Sequence, residues 1–346
     1  MLDKPIVAGH GQQMAARTVL ADPMLRMLGA AIVLAVLVPA SGDMRIVAQT
    51  IANAAIFVLF LLNGLRIARR DIAAGIANWR FLLPLVLWVF GAMALAGLGL
   101  SMLGNSFVPP LVALGFLYLG TLPSTVQSAT SYTSLAKGTV ALSVVSAALL
   151  NIIGVFVSVP IFIALGGSGE GAIGNDAVIK IFAILVVPFA IGQALQVRAA
   201  GFTARNKHRI VWIDRFIIAT AVYVAFSGAV GQGIWSRVDV AGWVGILALT
   251  VTFLAVGHWG AWLLGRVLGL SPGDRIAFLF AGSQKSAAVG APLATILFPP
   301  GVAGFIVVPL LLYHLFQLVL AAPLANRLAH SPHQDAGDYT EPTRQG

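Results

Sequence analysis

The chain is 346 residues long, 59% hydrophobic and only 10% charged, with a mean hydropathy of +0.93. Soluble domains carry roughly 25% charged residues, so the charge here is too sparse for a water-exposed surface, and the hydrophobic content excludes disorder. The net charge of +9 lies between hydrophobic runs, which argues for orientation in a membrane rather than for nucleic acid, and the absence of cysteine excludes disulfides, thiolate metal sites and cysteine nucleophiles.

One membrane span needs ~20 apolar residues, and ten stretches approach or exceed that length. A polar segment, 1–23, precedes the first span at 24–41. Val38-Pro39-Ala40 loosely resembles a signal-peptide cleavage site, but the polar segment before the span is long and its removal would spoil the charge pattern described below. Spans follow at 48–66 and 81–100; the fourth, 108–137, is long and interrupted near its middle. The fifth to eighth cover 139–165, 178–197, 212–231 and 242–265. The ninth, 272–298, is again long and interrupted; the tenth, 304–326, leads into a tail at 327–346. Runs such as AAIFVLFLL (54–62) do not alternate, so helices are expected rather than the ~10-residue alternating strands of a barrel.

With the N-terminus in the cytoplasm, 17 of the 21 Lys and Arg residues fall on cytoplasmic segments. Arg45, Arg237 and Lys180 fall outside, and Lys285 lies mid-span. By the positive-inside rule both termini are cytoplasmic, in an inner (plasma) membrane.

The interrupted spans are fourth and ninth, five apart. Five is odd, so a second five-span unit (178–326) begins on the face opposite the first (24–165), as in the inverted repeats of many secondary transporters. Pro123 lies near the middle of the fourth span and disfavours helix at the residue before it, while Gly282 weakens the ninth. Backbone freed at mid-membrane must face protein or a water-filled cavity, and each second half-helix directs a positive N-terminus there. The plainer alternative is two ordinary kinks filled by neighbouring hydroxyls.

The chemistry gathers at these breaks. Ser124, Thr125, Gln127, Ser128, Thr130, Ser131, Thr133 and Ser134 crowd into eleven residues, more hydrogen-bonding capacity than one helix contact uses. Taken singly, each hydroxyl more often satisfies its own helix. Lys285 is too deep to snorkel. It pairs with an anionic substrate, stands in for a bound cation, gives up its proton because burial disfavours the charged form, or ties to helix-end carbonyls. All twelve acidic residues lie in loops or at span ends, so no carboxylate is expected in the membrane interior. His258 and His314 are buried candidates, more often structural; Asn151 faces the fourth span or packs a helix, and Ser143 and Ser146 offer oxygen ligands. No P-loop, HExxH or G-x-S-x-G is present, so neither an enzyme nor an ATP-driven pump is expected.

LPSTVQSATSYTSLAKGTVALSVVSAALLN (122–151) and AGSQKSAAVGAPLATILF (281–298) resemble the bile acid:sodium symporter family, closest to the branch of its seventh human member and that member's bacterial homologues. The resemblance implies ten transmembrane helices as two inverted repeats, broken helices 4 and 9 crossing, a core of helices 3–5 and 8–10, a panel of helices 1, 2, 6 and 7, and substrate between them. It also marks departures. Phe280 stands where sodium-coupled members carry glutamate, Lys285 where they carry asparagine, and Ala129-Thr130 where they carry serine-asparagine; Gln284 and a sodium-ligand serine, Ser143, are retained.

The function expected is secondary transport of small organic anions with weak or absent sodium coupling. The alternatives are the family's usual sodium symport and a non-transporting membrane regulator. Substrate contacts are expected from Ser124, Thr125, Gln127, Ser128, Asn151, Ser283, Gln284, Lys285, Ser286 and His314. Thr130, Ser143, Ser146 and Gln284 are the candidate ion ligands. No cofactor or metal is expected beyond the Na+ that the resemblance brings in. The partners are the substrate and the lipid bilayer; the oligomeric state is left open, with a monomer as one option.

Overall fold

The computed structural model describes residues 22–167, 179 and 182–330, all in helices, turns and short connections, with no strand among the described residues. Most of the segment 1–23, the tail beyond 330, and Lys4, Arg17, Lys180 and Arg344 lie outside the described residues.

Helix α1 (Pro23–Leu37) starts where Asp22 accepts from the amides of Met24 at 2.7 Å and Leu25 at 3.3 Å, with Pro23 at the first helical position. It is followed by α2 (Gly42–Arg66) and by a short helix, α3 (Arg69–Ala77), that the pattern of apolar runs does not reveal. Next come α4 (Trp79–Gly104), which contains Pro84 and a π-helical turn at Leu87–Ala92, then α5 (Pro110–Thr121), α6 (Val126–Leu135) and α7 (Val140–Ala164). Helix α8 (Val187–Arg205) is entered through a π-helical turn at Phe182–Val186. The chain continues through α9 (Lys207–Gly231), the single turn α10 (Ile234–Arg237), α11 (Val240–Val267), α12 (Pro272–Ser283), α13 (Ala287–Leu297) and α14 (Pro300–Ala329).

Seven of these helices are long and apolar enough to cross a membrane. The pair α5 and α6, bent by 64° at their break, makes an eighth span if counted as one. The expected first span is the shorter, 15-residue α1, and the expected ninth is divided between α12 and α13. Asp214, expected at a span end, instead lies two turns inside α9, because that helix begins at Lys207; its carboxylate pairs with Arg66 of α2 at 2.5 Å.

Helices in lipid gain no hydrophobic drive from one another, so close packing must hold them. Here it depends on glycine. A Cβ on Gly64 of α2 would fall 2.3 Å from the Phe189 carbonyl oxygen, and one on Gly192 of α8 would fall 2.3 Å from that of Leu61. Gly97 of α4 and Gly120 of α5 form a second such seam, each closing on the other helix's backbone. Helices α1, α2, α8 and α9 pack on one another. Helices α4–α7 and α11–α14 pack as a second set, which α9 meets through α13 and α14. At that meeting a Cβ on Gly304 would fall 2.3 Å from the Ala229 Cβ and 2.4 Å from the Ala225 carbonyl oxygen.

Candidate functional site

The two breaks lie against each other. In the first, Leu122 is held extended ahead of Pro123 (φ −76°, ψ 148°), and Thr125 is extended as well. In the second, α12 runs straight through Gly282 and ends at Ser283, so the glycine is not the breaker. Its missing side chain instead admits Trp88, since a Cβ there would come within 2.9 Å of the indole. The chain is extended at Gln284 and Ser286, and the polar run Gln284-Lys285-Ser286 turns its backbone groups to partners on other helices.

Those partners take up the Lys285 and Ser286 amides and most of the freed carbonyls, as a buried backbone requires. The Ser286 amide donates to the Pro123 carbonyl at 3.0 Å. The Thr125 hydroxyl donates to the Lys285 carbonyl at 2.8 Å, and Asn151 Nδ2 donates to the Ser124 carbonyl at 2.8 Å. Gln317 of α14 clasps the Lys285 peptide: its Oε1 accepts from the amide at 2.8 Å and its Nε2 donates to the carbonyl at 3.0 Å. The same Nε2 lies 2.8 Å from His314 Nδ1. An amide nitrogen only donates, so that imidazole nitrogen is the acceptor. Trp88 Nε1 donates to Gly282 and the Tyr313 hydroxyl to Ser283 at 3.2 and 2.6 Å. None of the contacts of Gln317, Trp88 or Tyr313 was expected. The one signal in the sequence is Gln317 one helical turn beyond His314.

The Lys285 side chain is wholly buried and goes to helix-end carbonyls rather than to an acid. Its Nζ donates to Leu122 at 2.8 Å, to Gly120 at 2.9 Å and to Val89, within the π-helical turn of α4, at 3.2 Å. Three acceptors take all three N–H bonds of an ammonium group.

The other candidate residues divide sharply. Ser124, Ser283 and Gln284 are fully buried and Ser128 nearly so, yet their hydroxyl and amide atoms, like the Thr130 hydroxyl, have no hydrogen-bond partner. Buried polar atoms are ordinarily paired, and orphans call for an explanation. Gln127, by contrast, is exposed together with Ser131 and Ser134, a polar stripe along α6. Ser286 caps α13, accepting from the Val289 amide at 3.2 Å. Thr125 stands at the corresponding position of α6, but its hydroxyl goes to Lys285, so no side chain caps α6. Ser143 accepts from Thr133 at 3.1 Å, and Ser146 donates to its own helix at Leu142, 2.6 Å away. Phe280 is fully buried, with its ring 5.8 Å from that of Tyr132. His258 Nδ1 bonds its own helix at Leu254, 2.9 Å away.

Comparison with known proteins gives a consistent result. Residues 22–330 match the SBF-like CPA transporter family. An uncharacterized protein of Pseudomonas aeruginosa is 38% identical over 93% of this chain and 97% of its own length. The Escherichia coli protein named "Putative symporter YfeH" is 36% identical over 90% of this chain and 94% of its own. The Sodium/bile acid cotransporter 7 of Mus musculus is 23% identical over 80% of this chain and 82% of its own.

Proposed function

This chain belongs to the SBF-like CPA transporter family, and we propose that it is a secondary active transporter of small organic anions. It crosses the bacterial plasma membrane ten times as two inverted five-helix repeats, with both termini in the cytoplasm and the breaks of α5/α6 and α12/α13 forming a midplane site. Helices α1, α2, α8 and α9 are its panel and the second packing set its core, with α9 seated across the boundary on α13 and α14.

The observation that carries the reading is the unpartnered group of Ser124, Ser128, Ser283 and Gln284 where the two breaks touch, beside the uncapped N-terminus of α6. A helix N-terminus free of a side-chain cap offers amides and partial positive charge to an anion. The α13 end, capped by Ser286, offers less. The exposed stripe of Gln127, Ser131 and Ser134 supports an aqueous approach along α6 to that point. Substrate binding then satisfies the orphaned hydroxyls and amide, and alternating access exposes the site to each side in turn.

Counterflow in proteoliposomes, loaded in turn with members of a panel of small carboxylates and sulfonates, tests this. Exchange of at least one anion that falls at least tenfold in Ser124→Ala and in Gln284→Leu, both still folded, is the expected result. No exchange by the intact protein across the panel favours the non-transporting regulator.

A further inference from the structure

The most unusual feature of the interior is a buried ammonium with no anionic partner. Lys285 enters neither of the two ion pairs found among the described residues, and the nearest negative charge it has is that of carbonyl dipoles. A lysine deep in a membrane protein is costly unless something compensates it. Here the compensation comes from two backbone sources. Gly120 and Leu122 lie at the C-terminal end of α5, where the last carbonyls of a helix lack amide partners and the helix dipole is negative. Val89 lies in a π-helical turn, a local geometry that changes which carbonyls the helix itself uses. The three oxygens converge from 2.8 to 3.2 Å on one nitrogen. A ring of backbone carbonyls is how proteins replace the hydration shell of a free monovalent cation.

We propose that these carbonyls form a monovalent-cation cradle in which the Lys285 ammonium is a permanent, covalently tethered occupant. The carbonyls are positioned by backbone, not by the lysine: α5 ends there because Pro123 forbids its continuation, and α4 is fixed against α5 by the Gly97–Gly120 seam. Removing the side chain therefore leaves the oxygens in place and without donors. A free cation able to lie at hydrogen-bonding distance from all three fills the vacancy, which means ammonium and methylammonium first and potassium, close to ammonium in size, next. In the intact chain the tether keeps that nitrogen from leaving, so no free ion exchanges through the cradle.

The experiment is thermal melting of purified Lys285→Ala, Lys285→Met and the unaltered chain in detergent. Each is measured in choline, sodium, potassium, ammonium and methylammonium chloride at one ionic strength. The unaltered chain should melt at the same temperature in all five. Lys285→Ala should melt lower in choline and recover by a saturable rise of roughly 3–6 °C in ammonium or methylammonium. Lys285→Met fills the space with an apolar chain and should not respond. Should Lys285→Ala resist purification in choline, it is prepared in ammonium. Recovery there alone supports the cradle, and failure in every cation counts against it. A flat response of Lys285→Ala across the salts, or an equal response from the unaltered chain, overturns the proposal. Melting requires no transport, so a failed counterflow assay leaves this result standing, and the reverse holds.

Discussion

Gln317 and Thr125 reach the same peptide from two helices, and their removal is predicted to have unequal and non-additive costs. Gln317→Leu keeps the volume nearly constant but orphans the Lys285 amide and His314 Nδ1, each previously bonded at 2.8 Å. A buried group left unpaired costs about 1–3 kcal/mol, so the pair should cost roughly 2–6 kcal/mol. The Lys285 carbonyl is not orphaned by this change, because Thr125 still donates to it. Thr125→Val likewise leaves that carbonyl with Gln317 and should cost only about 0.5–1.5 kcal/mol, the net worth of one hydrogen bond. In the double variant the carbonyl loses both donors at once. The combined cost should then exceed the sum of the singles by about 1–3 kcal/mol. Unfolding titrations in mixed detergent micelles measure all four species. Additivity within about 0.5 kcal/mol, or a Thr125→Val loss equal to that of Gln317→Leu, would refute the clasp as described.

Reporter fusions after residues 204 and 170 should give opposite sides of the membrane, with 204 cytoplasmic; the same side for both contradicts the charge pattern. Substrate affinity, compared in sodium and in choline at constant ionic strength, should differ less than threefold, since Phe280 supplies no carboxylate and the Lys285 ammonium already contributes positive charge. A steep sodium dependence with a Hill coefficient near two is the contrary result. Gly64→Val should lower stability by at least about 1–3 kcal/mol, read as a lower melting temperature, because its new atoms meet the rigid backbone of α8 rather than a movable side chain.

The two breaks were legible in the sequence for different reasons. Pro123 dictates its break by its own geometry, and the extended Leu122 before it follows. The second break was legible from a lysine at mid-span, but its cause was not: α12 passes through Gly282, and the chain turns only where the backbone of Gln284 to Ser286 finds partners on distant helices. Those partners are the illegible part. Gln317 lies 32 residues from Lys285 and Trp88 lies 194 from Gly282, and neither residue type announces which carbonyl it will meet. Helix α3 escaped notice because RRDIAAGIA mixes charge and apolar character without a span's length. The destination of Lys285 Nζ was open among an anion, the place of a cation and helix ends, since only the fold brings Val89 beside Gly120 and Leu122.

The contact of Gly304 with Ala225 and Ala229 has a mechanical consequence. The Gly304 backbone meets the Ala225 carbonyl and the Ala229 methyl there, and neither has a rotatable chain that could yield to let the helices slide. Helix α9 is therefore pinned near its C-terminal end, and the rest of its 25 residues, packed on α1 and α2, can tilt only together with them. From Ala225 back to Lys207 the arm is about 27 Å at the rise of an α-helix. Each degree of tilt about the pin thus carries the Lys207 end through roughly half an ångström, and carries with it Asp214 and the Arg66 to which it is paired.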